Sequence, residues 1–242
     1  MASQFIHITL PDGTRKQVPA GCTVREALTP EGGRLDAKVL AAKINGEPMD
    51  LSRPLEQDAT IEPLTFESAE GREVYRHSST HIMAQAVKEV FPTAQLTIGP
   101  ALDDGFYYDF AFDRPFTPED LEKIEARAIE IMKRGLTVTR SELSKQDAIK
   151  FFQERGEGYK VELINSFDDA SPISLYRQGE FVDLCRGPHL PTTGYVGAFK
   201  LLSTGGAYWR GDERNPMLQR VYGTSKPKKK ELDAHLAKLE EI

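Results

Sequence analysis

Phe5-Ile6-His7-Ile8-Thr9-Leu10 alternates apolar and polar side chains, the period of two that marks a strand with one buried face. Pro11-Asp12-Gly13 follows, and a second strand runs through Val18, so the pair reads as a hairpin closed by a polar turn. Thr23, with Glu26 three residues on, has the spacing of a capping box and predicts a short helix. A third strand runs from Val39 and ends at Asn45-Gly46, a pair that favours a hairpin turn. Thr60 to Leu64 is the last strand of this set, and Pro63 marks the break before a second unit that begins near Phe66. Strand, strand, helix, strand, strand over residues 1–64 predicts a β-grasp, ubiquitin-like module, and nothing in it looks catalytic.

The period then changes. Glu73 to Val90 has apolar residues four apart at Ile82, Ala86 and Val90, and again at Met83 and Val87, which predicts a helix. Phe91-Pro92 ends it, because proline disfavours helix at the residue before it. A second helix starts at Thr117 with Pro118 in first position, carries the stripe Leu121, Ile124, Ala128 and Ile131, and stops at Gly135. A third runs from Ser144, with Asp147 at the box position, to Gly156. Strand candidates fill the remainder: FYYDFAF, LTVTRSEL, YKVELI, ISLYRQ, EFVDLC, FKLLS and MLQRVYG. The expected fold class is α/β (α+β), with a largely antiparallel sheet over residues 65–225. Residues 226–242 are expected to form an exposed helix leading out of that domain.

Composition adds exclusions. The net charge of −6 argues against a protein that coats nucleic acid nonspecifically. The densest basic run, Lys226 with Lys228, Lys229 and Lys230, reads equally as an RNA contact or a solvated helix start. No apolar run is long enough to span a bilayer, and the start, MASQFIHITLPDG, lacks the basic-then-apolar order of a signal peptide. Cys22 and Cys185, the two cysteines, make no disulfide framework. These features together predict a cytoplasmic protein.

His77 and His81 in HSSTH share one helical face, and CRGPH supplies Cys185 and His189 after a strand on which Phe181, Asp183 and Cys185 point the same way. Gly187-Pro188 is expected to turn His189 back toward that face. Two histidines on a helix with a cysteine and histidine at a strand end make a zinc set, His77, His81, Cys185 and His189; surface or packing roles are the alternative. A metalloprotease is excluded, since Ser78 stands where HExxH needs glutamate. Lys160 would reach a cleft from a strand end or lie exposed. Tyr107 and Tyr108 would line a pocket or divide between core and edge. Arg210, Asp212, Arg214 and Asn215, beside Trp209, suit either an RNA end or a salt-bridged loop.

RHSSTHIMAQAVKEVFP, IGPALDDGFYYDF, FVDLCRGPHLPTTG and GGAYWRGDERNPMLQRVYGT, in this order, resemble the N-terminal region of bacterial threonyl-tRNA synthetases, and the first 64 residues resemble the small β-grasp (TGS-like) domain found there. The resemblance covers essentially the whole chain. The paired HxxxH and CxxxH motifs also occur in alanyl-tRNA synthetase editing domains and their free-standing relatives, which lack the β-grasp module. The family implies an editing domain that hydrolyses serine esterified to the 3′-end of threonine tRNA. It implies catalytic roles for His77, Lys160 and Asp183, the last pairing with the substrate's amino group. His81, Cys185, His189 and Tyr108 would shape the pocket. It implies a metal-free reaction and no cofactor for editing. The ATP and zinc sites belong to a class II catalytic domain expected beyond this piece, which would itself be a monomer although full synthetases are usually homodimers. The competing expectations are a free-standing aminoacyl-tRNA deacylase and a noncatalytic, zinc-stabilised RNA-binding module.

Overall fold

The computed structural model describes residues 5–241. Residues 1–4 at the expected leaderless start, and Ile242 at the end of the expected outgoing helix, lie outside them. The chain divides into two units, residues 1–75 with 187–191, and residues 76–186 with 192–242.

The first unit holds β1 (Phe5–Thr9), β2 (Arg15–Pro19), α1 (Val24–Leu28), β3 (Ala41–Ile44), β4 (Glu47–Met49) and β5 (Ala59–Leu64). They form one sheet in the order β2-β1-β5-β3-β4, antiparallel except for the β1–β5 pair. Thr23 and Glu26 make the expected reciprocal cap. Asn45 and Gly46 both take positive φ, the geometry a two-residue hairpin turn requires. The sequence reading missed β4, whose three residues are too few to show a period. Pro63 lies inside β5 and does not break it; β1 pairs only with Ala59 and Thr60, so the proline lies past that ladder. Ile6, Ile8, Val24, Ile44, Leu51 and Ile61 centre the core.

α2 (Ala69–Val90) begins a turn before the expected Glu73. Ser68 Oγ accepts from the Gly71 amide at 3.1 Å, capping the helix, and the missing Cβ of Gly71 leaves room for the Thr65 carbonyl. The second unit continues with β6 (Gln95–Leu96), β7 (Phe106–Ala111), α3 (Pro118–Arg134), β8 (Val138–Leu143), α4 (Lys145–Glu154), α5 (Gly158–Asn165), β9 (Ile173–Gln178), β10 (Phe181–Leu184), β11 (Ala198–Tyr208), β12 (Met217–Lys226) and α6 (Lys229–Glu240). Two antiparallel sheets replace the single one expected, β10-β9-β8 and β11-β12-β7-β6. Residues 78–87 of α2 are all buried. The helix reaches both sheets, through Ser79 to Ser225 on β12 and through Gln85 to Gln178 on β9.

The caps at Thr117 and Ser144 and the left-handed stop at Gly135 form as expected. YKVELI is a correction: it lies in α5, not in a strand. Its tyrosine, valine and isoleucine favour strand locally, but Tyr159 packs edge-on against Trp209 and Ile164 enters a core with Phe152 and Leu175. Tertiary packing overrides the local preference. α6 is largely exposed, anchored by buried Leu232.

Candidate active site

Asp183 sits on β10, 1% exposed, with close polar partners on both carboxylate oxygens. Oδ1 receives the Lys160 ammonium at 2.6 Å and the Leu184 amide at 2.7 Å. Oδ2 receives the Tyr108 hydroxyl at 2.8 Å and faces His81 Nε2 at 3.4 Å. The partners come from four places. α5 brings Lys160, β7 brings Tyr108, and α2 brings His81. β10 supplies the acid because alternation turns Phe181 and Asp183 toward α2, where the Phe181 ring meets His81 edge-on at 5.9 Å.

Beside this cluster His77 Nε2 lies 3.1 Å from Cys185 Sγ, and the two imidazoles are 5.6 Å apart. Gly99 presses against the Tyr108 ring, where a Cβ would lie 2.2 Å from a ring carbon. Only glycine lets the Tyr108 hydroxyl reach Asp183 from this position. His77, His81, Tyr108, Lys160, Asp183 and Cys185 line one cavity of about 700 Å³. Its remaining lining is mixed, with apolar Ile98, Pro100, Leu163 and Phe167 beside polar Asp168 and Arg186.

Burial sets the electrostatics. It pulls His77 below the ordinary imidazole value, more strongly than Asp183 pulls it up, and Lys160 adds to the fall. His81 goes well below that value for the same first reason, with His77 and Lys160 contributing. Burial and then Asp183 push the Tyr108 phenol well above its usual value. Near neutral pH the cavity therefore holds two neutral imidazoles, His77 the less strongly depressed and so the better proton acceptor, beside the buried Lys160–Asp183 ion pair. That combination suits hydrolysis through a developing oxyanion.

His77, His81, Cys185, Asp183, Lys160 and Tyr108 come together in the second unit. His189 goes with the first unit, where its amide donates to Asp50 Oδ1 at 2.8 Å. Lys160 reaches the cavity, but from a helix rather than a strand end, and it is buried rather than exposed. Tyr107 points away from Tyr108 and lies under the Arg220 guanidinium at 3.8 Å. The 210–215 loop is tied up in protein contacts: Arg214 grips Asp212 through Nε and Nη2, Asn215 donates to the Trp209 carbonyl, and the Trp209 indole donates to Glu162 on α5. Lys229 pairs with Asp233 one helical turn on. The sequence reading missed Gly99, Lys88 and Glu157. A glycine before proline and two charged residues in charged surroundings carry no signal until their partners are known.

Two families match parts of the chain: the TGS domain over residues 6–65, and the threonyl and alanyl tRNA synthetase second additional domain over residues 173–222. A threonine–tRNA ligase from Symbiobacterium thermophilum is 54% identical over 239 residues, covering 99% of this chain and 37% of the relative. Those from Citrifermentans bemidjiense and Acetivibrio thermocellus are 54% and 51% identical over 98% of the chain and 37% of each relative. The chain spans little more than a third of the length of these relatives. With TGS and editing-type domains in one chain, and this identity along nearly all of it, the chain corresponds to the N-terminal region of threonyl-tRNA synthetases.

Proposed function

We propose that this chain is the proofreading part of a threonine–tRNA ligase and hydrolyses serine wrongly esterified to the 3′-end of threonine tRNA. The observation that carries the reading is the buried Lys160–Asp183 pair at the base of a cavity that also presents neutral His77. A pocket that accepts threonine cannot exclude serine, which is smaller by one methyl; such a difference gives only ~1–3 kcal/mol, so a second, hydrolytic site is needed.

In the proposed reaction a water attacks the ester carbonyl and gives its proton to His77. The Lys160 ammonium, held by Asp183 with its other protons free for substrate, stabilises the oxyanion. Collapse breaks the bond to the ribose oxygen, which takes the proton back from His77. Asp183 is assigned to orient Lys160 and Tyr108 rather than to bind the substrate's amino group, because its oxygens already have four partners. His81, Cys185 and Tyr108 shape the pocket. Nothing in the scheme draws on the first unit, so His189 has no assigned step.

Zinc was the alternative occupant. One donor atom each of His77, His81 and Cys185 lies within 4.8 Å of the others, which suits a metal's donor types. The ammonium of Lys160 acts on both imidazoles, and its repulsion of a dication supports a metal-free reaction. Residues 1–64 are proposed as the β-grasp domain, 65–225 as the editing domain and 226–242 as a linker toward a catalytic domain. Threonine ligation with ATP, dimerisation and that domain's zinc would belong to the full-length enzyme, in the cytoplasm; this piece would be a monomer. A deacylation assay on threonine tRNA charged with serine or with threonine tests the reading. The expected result is rapid release of serine with threonine retained; equal release of both, or of neither, overturns it.

A further inference from the structure

Lys160 stands in an unfavourable place. It occupies the first turn of α5, where the helix dipole opposes a cation. That turn has no acidic residue, and no side chain caps it. The residue at the cap position is Glu157, 3% exposed, whose carboxylate turns away from α5. One oxygen accepts the Leu96 amide on β6 at 2.8 Å, and the other receives the Lys88 ammonium on α2 at 2.8 Å. Lys88 in turn donates to the Pro92 and Ala94 carbonyls at 3.0 and 2.7 Å, gripping the chain that leads from α2 into β6. The α2 helix that carries His77 and His81 is thus joined by an ion pair to the residue that opens the helix of Lys160.

We infer that Glu157 and Lys88 are positioning residues for the proposed hydrolysis, a partly buried ion pair that sets the start of α5 and so the reach of Lys160 to Asp183. The inference rests on the proofreading reading. Neither residue enters the cavity that holds Lys160; both line a separate one of about 380 Å³. Breaking the pair leaves a charge buried alone, so a single substitution confounds positioning with stability. Replacing both charges removes that confusion, since neutral pairs of similar size are often tolerated.

The experiment compares Lys88→Arg, Glu157→Gln and the double variant Lys88→Met/Glu157→Gln in the full chain. It reads thermal melting and seryl-tRNA hydrolysis, with kcat and KM resolved. The double variant is expected to melt near the parent yet lose roughly 10²-fold in kcat with KM little changed, the scale of a 1 Å misplacement. Lys88→Arg, which keeps the charge, should retain most of the rate. Unchanged kcat in the double variant, or a loss in proportion to melting alone, overturns the inference. If the parent itself fails to hydrolyse seryl-tRNA, the proofreading reading falls. The pair is then judged by a crystal structure of the double variant: a Lys160–Asp183 separation beyond about 3.5 Å supports positioning, and retention of the short contact refutes it.

Discussion

In the first unit the core is aliphatic, built from Ile6, Ile8, Val24, Ile44 and Ile61, and most of its charged side chains sit outside. Among the described residues its buried polar side chains are Asp50 and His189. The second unit buries Arg76, His81, Asp109, Asp120, Glu157, Lys160 and Asp183, along with several hydroxyls and amides. Burying charge costs folding free energy unless every lone pair and proton finds a partner. The first unit carries little of that cost, with Asp50 as its buried acid among the described residues. The second accepts it where a cavity needs a cation and a proton acceptor held still and away from water. The difference separates a largely apolar core from one that gathers buried charge beside a cavity.

The contrast can be broken most severely at Lys160. Lys160→Ala should abolish seryl-tRNA hydrolysis and also destabilise the protein by ~3–5 kcal/mol, because Asp183 would remain as an unpaired buried charge. Denaturant melts and single-turnover rates on one preparation check both. His77→Ala should cost roughly 10²–10⁴-fold in rate with a smaller change in melting than Lys160→Ala, since its ring lines the cavity and leaves no buried charge unpaired when removed. A large stability loss there would show that His77 is a packing residue.

Asp120 sharpens the comparison as a buried charge outside the cavity. Arg114 and the Thr117 cap hold its carboxyl at about 2, below the ordinary 3.8. The folded form thus prefers ionised Asp120, and that contribution is complete above pH 3.8 and lost as pH falls toward 2. It should be worth roughly 2 kcal/mol. Arg114→Ala should lower stability near neutral pH, with the gap closing below pH 4 and hydrolysis at pH 7 unaffected. Smallest of all, Thr23→Ala should cost ~1 kcal/mol in the first unit by removing the α1 cap, and leave the rate unchanged.

Features written in adjacent residues were legible in the sequence. Thr23 with Glu26, Thr117 with Asp120, Asn45-Gly46 and the stop at Gly135 each need only neighbours, and each forms as expected. The His77–His81 pair was visible for the same reason. α5 was not, because its helix is held by Trp209 and by the core around Phe152 rather than by a side-chain cap. The division into two sheets and the short strands β4 and β6 depend on pairings that a period cannot encode. Asp183 was found through family resemblance, but its saturation by Lys160, Tyr108 and Leu184 is a matter of three-dimensional placement, and it changes the role the residue is given.

The most direct test is single-turnover hydrolysis of seryl-tRNA by the intact chain after exhaustive chelation, with the Lys160→Ala protein alongside. Rapid serine release by the chelated parent and none by the variant is the predicted result. Release that vanishes on chelation and returns only with zinc, or that survives loss of the Lys160 ammonium, would contradict a hydrolytic site built on the buried Lys160–Asp183 pair.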